Sequence, residues 1–270
     1  MIRTPLSEYP TELALIINRK VYDMIYVTSD LHGRFDCLKK LLEKVNFSDS
    51  DWLYIIGDVI DRHDKGGVDI LKWLLFQPNV QLILGNHEQF LMNNRWIFNE
   101  VSDDTIDSFN ENNLKHLSRW KANGGSVTIE AFYKETDPEE RQDILDYLDD
   151  CPLIETVSVN GKNFVLAHGG LGNYKKDKRI SEYFPEEILW ERPKMEAVYD
   201  PDNYTVIIGH TPTVFYSEKY KNRMIKNKNG WWNIDTGAAL DDGYPMLLCL
   251  DDLKEYYFAD KETVIEKGTD

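Results

Sequence analysis

The sequence predicts an α/β fold in which β-structure is covered by helices, and three observations lead to that prediction. Short apolar runs rich in β-branched residues recur along the chain, as is typical of buried strands. Between the early runs lie longer stretches whose apolar residues repeat at helical spacing. The chain has 270 residues, 42% hydrophobic and 29% charged, so it can bury a large core and is too apolar to be disordered.

Seven strands are predicted from the apolar runs. They are Met24–Ser29, Trp52–Ile56, Val80–Leu84, Phe164–Ala167, Tyr204–Ile208, Trp231–Ile234 and Met246–Leu250. Helical periodicity predicts helices at Asp36–Val45, Val68–Phe76 and Glu88–Phe98. Strands and helices that alternate in this order indicate βαβ units.

Residues 1–270 are predicted to form a single domain with two additions. The stretch from about 99 to 150 is rich in Asp, Glu and Asn and has helical patterning, which predicts a helical insertion. Within it, Asp137 followed by Pro138 is typical of a helix start. Residues 1–23 form an N-terminal extension whose apolar residues suit a short packed helix, and no chemistry is assigned to it.

Composition excludes several classes of partner. The net charge of −16 repels polyanions, so we expect no nucleic-acid partner. Because apolar runs are too short to span a bilayer, no membrane association is expected. The first residues lack the apolar core of a signal peptide, and the three cysteines are far apart in the sequence with no CxxC pair. Both features favour a cytoplasmic protein with reduced thiols.

Five short polar clusters each follow an apolar run directly. They are Asp30-Leu31-His32-Gly33, Gly57-Asp58-Val59-Ile60-Asp61-Arg62, Gly85-Asn86-His87-Glu88, His168-Gly169-Gly170 and Gly209-His210-Thr211. Binding groups in open α/β sheets gather at the carboxyl ends of strands, so the five clusters are expected to converge. Their carboxylate, imidazole and amide groups suit divalent metal ions, and the absence of cysteine argues against a structural zinc site.

Each cluster alone is weak evidence, because a lone Asp-x-His or Gly-Asp after a strand is usually an ordinary turn. The ordered set of five, each at the end of an apolar run, is what indicates a site. Asp30 and His32 are two residues apart, so on an extended chain their side chains point the same way.

The ordered set resembles the pattern of the calcineurin-like metallophosphoesterases. Arg62 after Asp61, and Glu88 after Asn86-His87, are similar to the phosphoprotein phosphatase family within that group. Three further segments resemble bacterial and phage (lambda-type) protein Ser/Thr phosphatases. They are Trp120 with Asn123-Gly124-Gly125 and Thr128, Trp190-Glu191-Arg192, and Ile234-Asp235-Thr236-Gly237-Ala238. The resemblance runs from about Tyr26 to Leu250 and implies two packed mixed β-sheets flanked by helices, an αββα sandwich.

The resemblance also implies a site with two divalent metal ions. One ion would be held by Asp30, His32 and Asp58. The second would be held by Asp58, Asn86, His168 and His210. The shared Asp58 carboxylate and a bridging hydroxide would offset repulsion between the ions, and that hydroxide would attack phosphorus in line. Mn²⁺ is the favoured ion for these donors, and Fe or Zn also fit.

The resemblance assigns the phosphate and the leaving group to further residues. Arg62 and Arg192, with Asn86, would bind the phosphate oxygens. His87 would protonate the leaving oxygen, and Asp61 would orient His87. A third metal ligand or a purely structural histidine is the alternative for His87. For Asp235, a partner of a ligating histidine and an ordinary strand-end carboxylate are equally compatible with the sequence.

The function indicated is a metal-dependent phosphomonoesterase, with a protein Ser/Thr phosphatase as the leading hypothesis. Its partner would be a phosphorylated protein or a small phosphoester. A diadenosine tetraphosphate hydrolase is the alternative enzyme, and a non-catalytic scaffold is the alternative from another class. Two departures from the family pattern affect substrate preference. His63 stands where glycine is usual after Asp-Arg, and Glu191 replaces the Asn of Trp-Asn-Arg.

Overall fold

Two β-sheets packed face to face form the centre of the protein. The computed structural model describes residues 22–63, 65–99 and 110–267. Helices cover the outer face of the first sheet, and one short helix with neighbouring loops covers the outer face of the second, so the order of layers is helix, sheet, sheet, helix. The predicted fold class is therefore confirmed.

The first sheet has six strands in the order β11-β10-β9-β1-β2-β3. Their bounds are β1 Ile25–Ser29, β2 Trp52–Ile56, β3 Val80–Ile83, β9 Leu247–Cys249, β10 Glu255–Phe258 and β11 Val264–Lys267. Strands β1, β2 and β3 are parallel, and the other three pair antiparallel. The three parallel strands therefore end at one edge of the sheet.

The second sheet has five strands in the order β4-β5-β6-β8-β7. Their bounds are β4 Ile154–Val159, β5 Lys162–Ala167, β6 Thr205–Ile208, β7 Ile225–Asn227 and β8 Trp231–Asn233. Strands β5, β6 and β8 are parallel, whereas β4 and β7 run antiparallel on the two edges. Each sheet thus contains three parallel strands beside antiparallel ones.

Seven α-helices flank the sheets in the described part of the chain. They are α1 Phe35–Lys44, α2 Val68–Leu74, α3 Asn86–Asn93, α4 Glu111–Trp120, α5 Ser126–Glu135, α6 Pro138–Asp149 and α7 Pro185–Leu189. A π-helical turn, Lys121–Gly125, joins α4 to α5, and its left-handed residue Gly124 has φ +100°. The described part of the predicted insertion, from residue 110, is therefore helical.

Strand residues alternate between the inter-sheet core and the outer layers. In β5, Phe164 packs between the sheets, whereas its neighbour Val165 packs on the outer side of the second sheet. In β1, Val27 packs between the sheets and Tyr26 packs against the helices of the first. This period of two is the pleat of a sheet buried on both faces.

The structure contains all seven predicted strands, with ends shifted by two residues at most. The sequence prediction missed β4, β7, β10, β11 and the short helix α7. Helix α3 begins at Asn86, two residues before its predicted start. The predicted cap of α6 is confirmed, because the Asp137 side chain accepts hydrogen bonds from the N–H groups of Glu139 and Glu140. Residues 1–21 and 100–109 lie outside the described residues, and the single-domain organisation stays a prediction.

Candidate active site

The five polar clusters converge where the parallel strands of the two sheets end. Asp30 and Asp58 follow β1 and β2, and Asn86 follows β3. His168 and His210 follow β5 and β6 of the second sheet. Backbone hydrogen bonds hold the turns together, including Asp30 N–H to the Gly57 carbonyl (3.0 Å) and Gly209 N–H to the His168 carbonyl (2.8 Å). The expected convergence at the carboxyl ends of strands is confirmed.

Backbone strain is concentrated at this site. Eleven described residues other than glycine have a positive φ, and four of them are asparagines outside the clusters. Six of the other seven are predicted site residues with φ between 43° and 73°, namely Asp30, His32, Asp58, Asp61, Arg62 and His210. Because left-handed backbone is costly for such residues, it indicates turns shaped for function rather than for local stability.

Asp58 lies at the centre of the site. Its Oδ2 is 3.3 Å from Nε2 of His168, 3.7 Å from Nε2 of His32 and 3.8 Å from Nε2 of His87. Its Oδ1 accepts a hydrogen bond from the backbone N–H of His87 (2.9 Å). Burial disfavours the ionised carboxyl, but His168 and His87 outweigh it and hold the pKa of Asp58 well below its usual range. A buried anion therefore faces three imidazole rings.

These residues form two compact groups of metal-binding atoms that share Asp58. One group is His32, Asp58 and His87, and the other is Asp58, His168 and His210. In each group the three donor atoms lie within 4.8 Å of one another. A carboxylate shared between two such groups is the arrangement that a pair of divalent ions requires.

The tautomers of two histidines follow from their backbone contacts. Nδ1 of His32 contacts the Ile60 carbonyl (2.9 Å), and Nδ1 of His168 contacts the Ile56 carbonyl (3.0 Å). Because a carbonyl oxygen only accepts, each Nδ1 carries a proton and each Nε2 faces the site. Nε2 of His168 lies 3.0 Å from Oδ1 of Asn86, so these two acceptors need a proton or a cation between them.

His210 supplies the clearest sign that the site binds a cation. Its Nε2 is buried and has no hydrogen-bond partner among the described residues. Burial, with His168 next to it, lowers the pKa of His210 to about 2, so the ring is neutral. Because buried polar atoms are nearly always paired, this unpartnered ring nitrogen fits a metal ligand. The donors present therefore fit two divalent metal ions.

Asp30 differs from its expected position in the first metal group. Both of its carboxylate oxygens accept from the backbone N–H of His210 (3.0 Å each), and it belongs to neither compact group. His87 occupies that place beside His32 and Asp58 instead. Metal ligation by Asp30 stays a prediction, and the alternative of His87 as a ligand gains a geometric basis.

Asp61 and His87 form a buried pair beside the metal-binding atoms. Nδ1 of His87 donates to Oδ2 of Asp61 at 2.5 Å, and both side chains are buried. Burial opposes the protonated ring, but Asp58 and Asp61 outweigh it and raise the pKa of His87 above its usual value. The structure thus joins two residues that are 26 positions apart and leaves Nε2 of His87 directed at the site.

The two predicted phosphate-binding arginines lie at the exposed rim of the site. Arg62 is exposed, and its charge acts on the rings of His32 and His87. Nη1 of Arg192 donates to the His210 carbonyl (3.1 Å) and to Oγ1 of Thr211 (2.6 Å). A cleft of about 350 Å³ opens beside Arg192. The Arg192 guanidinium therefore contacts the backbone of a predicted metal ligand, and both arginines are within reach of solvent.

The sequence left two roles open for Asp235. Its Oδ1 accepts from the backbone N–H of Gly237 (2.9 Å), and no hydrogen bond joins it to a histidine among the described residues. Burial, together with nearby Asp58, raises the pKa of Asp235 to about 7. The strand-end interpretation fits better than that of a partner to a ligating histidine. His63 is half-buried, and its Nε2 accepts from Nη2 of Arg34 (3.3 Å).

Glu88 is a site residue whose role the sequence did not indicate. Its fully buried carboxylate accepts from the backbone N–H groups of Asp58 (2.8 Å), Val59 (2.9 Å) and Gly85 (2.9 Å). It therefore ties the turn after β2 to the turn after β3. The sequence marked Glu88 only as a family feature, since contacts to backbone 29 and 30 residues away leave no local pattern.

Replacing Glu88 with glutamine is expected to lower the free energy of unfolding of the metal-free protein by ~1–3 kcal/mol. The glutamine amide keeps one oxygen that accepts hydrogen bonds. Its NH₂ group faces a backbone N–H that donates to the carboxylate in the wild-type protein, so two donors face each other and that hydrogen bond is lost. Chemical denaturation measures the change. Glu43→Gln, the same change at an exposed position, is the matched control, and equal stability of the two variants would contradict the expectation.

No helix in the part of the chain that the structure describes combines the length and apolarity needed to cross a membrane.

Known proteins are similar to this chain in sequence. Serine/threonine-protein phosphatase 2 of Salmonella typhimurium is 28% identical over 235 residues, which cover 82% of this chain and 91% of that protein. The symmetrical bis(5'-nucleosyl)-tetraphosphatase of Mannheimia succiniciproducens is 34% identical over 98 residues, which cover 35% of this chain and 36% of that protein. The first similarity extends over nearly the whole relative, whereas the second is confined to about a third.

Solved structures share the fold at low sequence identity. A candidate diadenosine tetraphosphatase has a TM-score of 0.56 at 18% identity, with 93% of this chain and 96% of that chain covered. A Saccharomyces cerevisiae protein serine/threonine phosphatase has a TM-score of 0.52 at 15% identity, with 90% and 78% covered. The family model for calcineurin-like phosphoesterases matches residues 24–231, well over half of the chain. The chain therefore belongs to the calcineurin-like phosphoesterase family.

Proposed function

We propose that this protein is a phosphomonoesterase that removes phosphate from phosphoserine and phosphothreonine in proteins. The observation that carries the proposal is the buried Asp61–His87 pair, whose imidazole Nε2 faces the metal-binding atoms. A serine alkoxide is a poor leaving group and needs a proton as its bond to phosphorus breaks. A phosphate or nucleotide leaving group is stable as an anion and gains far less from such a proton.

The donor residues divide into two sets around Asp58. His32 and Asp58, with Asp30 or His87, would hold one divalent ion, and Asp58, Asn86, His168 and His210 would hold the other. Bound there, the two ions acidify water and neutralise charge on the phosphate oxygens. We propose Mn²⁺ as the working ion, with Fe or Zn as alternatives, because the donors are carboxylate, amide and imidazole.

The side chains of this chain supply orientation and a proton. Arg62 and Arg192 would bind equatorial phosphate oxygens through paired hydrogen bonds, with the Asn86 amide nearby. A water that has given one proton to solvent forms the new oxygen–phosphorus bond, and the phosphorus–oxygen bond to serine breaks. The electron pair stays on the serine oxygen, which takes the proton from Nε2 of His87. After the alcohol leaves, His87 regains a proton from solvent. Asp61 holds the opposite nitrogen of the ring throughout.

Hydrolysis of diadenosine tetraphosphate is the second candidate function. The candidate diadenosine tetraphosphatase of similar fold and the partial similarity to symmetrical bis(5'-nucleosyl)-tetraphosphatases favour it. The alignment over 91% of the Salmonella serine/threonine phosphatase favours the first proposal. A non-catalytic scaffold has less support, because every predicted ligand position carries a suitable side chain.

A parallel assay separates these functions. We expect the Mn²⁺-loaded protein to release phosphate from a phosphoserine peptide faster than it cleaves diadenosine tetraphosphate, with kcat/KM as the measure. EDTA should abolish both activities. Faster cleavage of the dinucleotide would overturn the proposed substrate class. Two bound ions with no turnover of either compound would leave the scaffold as the interpretation.

A further inference from the structure

The helical insertion contacts the site through the carboxylate of Asp61. Nε1 of Trp120, the last residue of α4, donates to Oδ2 of Asp61 (2.8 Å). Oγ1 of Thr128, in α5, donates to Oδ1 (2.5 Å) and accepts from the backbone N–H of Asp61 (3.1 Å). With His87, three donors from three parts of the chain meet one carboxylate that is 0% exposed.

The backbone between Trp120 and Thr128 is shaped to make these contacts. The Gly124 carbonyl accepts from the N–H of Arg62 (3.3 Å), next to Asp61. A Cβ at Gly125 would lie 2.3 Å from Nε1 of Trp120, so only glycine leaves room for the indole N–H. The two insertion glycines thus allow the Trp120 indole and the Arg62 backbone to take their places.

The dipeptide that receives these contacts is strained. Asp61 and Arg62 both have φ 73°, a left-handed conformation that their side chains disfavour. Oγ1 of Thr128 and the Gly124 carbonyl accept from the backbone N–H groups of Asp61 and Arg62. Trp120 and Thr128 donate to different oxygens of the Asp61 carboxylate. These contacts fix the Asp61 rotamer, because rotation of the carboxylate would break a hydrogen bond at each of its two oxygens.

We propose that Trp120 and Thr128 are positioning residues for proton transfer. By fixing Asp61, they fix the His87 ring with Nε2 directed at the leaving oxygen. The inference rests on the proposed function, in which His87 protonates that oxygen. It assigns the insertion to the catalytic step rather than only to the helical layer, where its apolar residues also pack.

Leaving-group dependence distinguishes positioning from general support of the fold. A serine alkoxide needs the proton, whereas p-nitrophenolate is a stable anion that leaves without one. Misplacement of His87 therefore slows the first reaction selectively. Damage to the metal ligands or to the fold slows both reactions alike.

The test compares Thr128→Val with Thr128→Ser on both substrates. Valine matches threonine in shape and lacks the hydroxyl, and serine restores it. For Thr128→Val, we expect kcat on a phosphoserine peptide to fall roughly 10–100-fold, as for a hydrogen bond to a charged group. On p-nitrophenyl phosphate kcat should fall less than about threefold, with KM and the metal content unchanged. Thr128→Ser should restore most of the rate on the peptide.

A second variant and a control complete the design. Trp120→Phe removes the indole N–H and should give the same selective loss of activity on the peptide. If Thr128→Val does not fold, Trp120→Phe provides the test. Thr136→Val removes another buried hydroxyl of the insertion, one that donates to the Phe132 carbonyl, and should leave the ratio of the two rates unchanged. Equal losses on both substrates, or no loss with either variant, would overturn the proposal.

Failure of the proposed function would give a different result. If the wild-type protein does not cleave the phosphoserine peptide, the substrate class is wrong. The same variants are then compared on glycerol 2-phosphate, whose alkoxide also needs a proton, and on p-nitrophenyl phosphate. A selective loss on glycerol 2-phosphate would support positioning without the protein substrate, and an equal loss on both would refute it.

Discussion

Replacing Asp58 with asparagine is expected to remove both bound metal ions together and to lower phosphate release by at least ~10³-fold, a loss of several kcal/mol of transition-state stabilisation. The expectation follows from the position of Oδ2, which lies between 3.3 and 3.8 Å from Nε2 of three histidines. Asp58 belongs to both groups of metal-binding residues, so loss of its negative charge affects the two sites at once.

The substitution is close to isosteric and keeps the hydrogen bond to the backbone of His87. Oδ1 of the new asparagine still accepts from the backbone N–H of His87, as Asp58 does at 2.9 Å. The negative charge is lost and one carboxylate oxygen becomes an amide NH₂, which cannot bind a cation. We therefore expect an unchanged circular dichroism spectrum for the metal-free variant.

Metal analysis after dialysis measures the effect directly. The wild-type protein should retain about two ions per chain and Asp58→Asn fewer than one, the difference expected for a shared ligand. Asp49→Asn makes the same chemical change at an exposed position and should retain both ions. Two ions bound to Asp58→Asn would show that the carboxylate is not shared. Loss of one ion alone would assign Asp58 to a single site.

The site was largely predictable because its parts are local. Each cluster follows a strand, and a strand end needs only its own apolar run and a turn to be recognised. His168 follows β5 and His210 follows β6, as expected. Parallel pairing of neighbouring strands then brings these separate turns to one edge.

The supporting contacts were not predictable, because they join distant parts of the chain. Trp120 reaches Asp61 across 59 residues, and Thr128 reaches it across 67. The sequence shows a tryptophan and a threonine near two glycines, and nothing local indicates which carboxylate they bind. Glu88 is a similar case. Its carboxylate accepts from backbone N–H groups, which every residue except proline has, so the sequence cannot show which ones it binds.

The missed strands have a different cause. Strands β7 and β11 lie at sheet edges and carry polar residues such as Lys226 and Glu266, so they lack the continuous apolar run used for prediction. Strand β4 includes Glu155 and Ser158 among its apolar residues. The missed edge strands β4, β7 and β11 are thus of mixed composition, whereas the edge strand β3 was found because Val80–Ile83 is a largely apolar run. Strand β10 is internal, and its short sequence Glu255–Phe258 was also missed.

Replacing His87 with asparagine is expected to lower turnover of a phosphoserine peptide by roughly 10²–10⁴-fold, the usual contribution of a general acid. Asparagine can still donate to Asp61, but it has no second nitrogen in the position of Nε2. Turnover of p-nitrophenyl phosphate should fall much less, because its leaving group needs no proton. Steady-state kinetics on both substrates measure the difference.

Metal content decides between the two roles that the geometry allows for His87. Its Nε2 lies 3.8 Å from Oδ2 of Asp58, in the group that includes His32, so it is placed to bind a metal as well as to donate a proton. A proton donor predicts two retained ions in His87→Asn and a selective loss on the peptide. A ligand predicts a lost ion and similar losses on both substrates. His116→Asn, at an exposed position of α4, should change neither measurement. We expect the first pattern, because Asp58 and Asp61, the latter hydrogen-bonded to Nδ1, raise the pKa of the ring above its usual value, so the ring can carry a proton on Nε2.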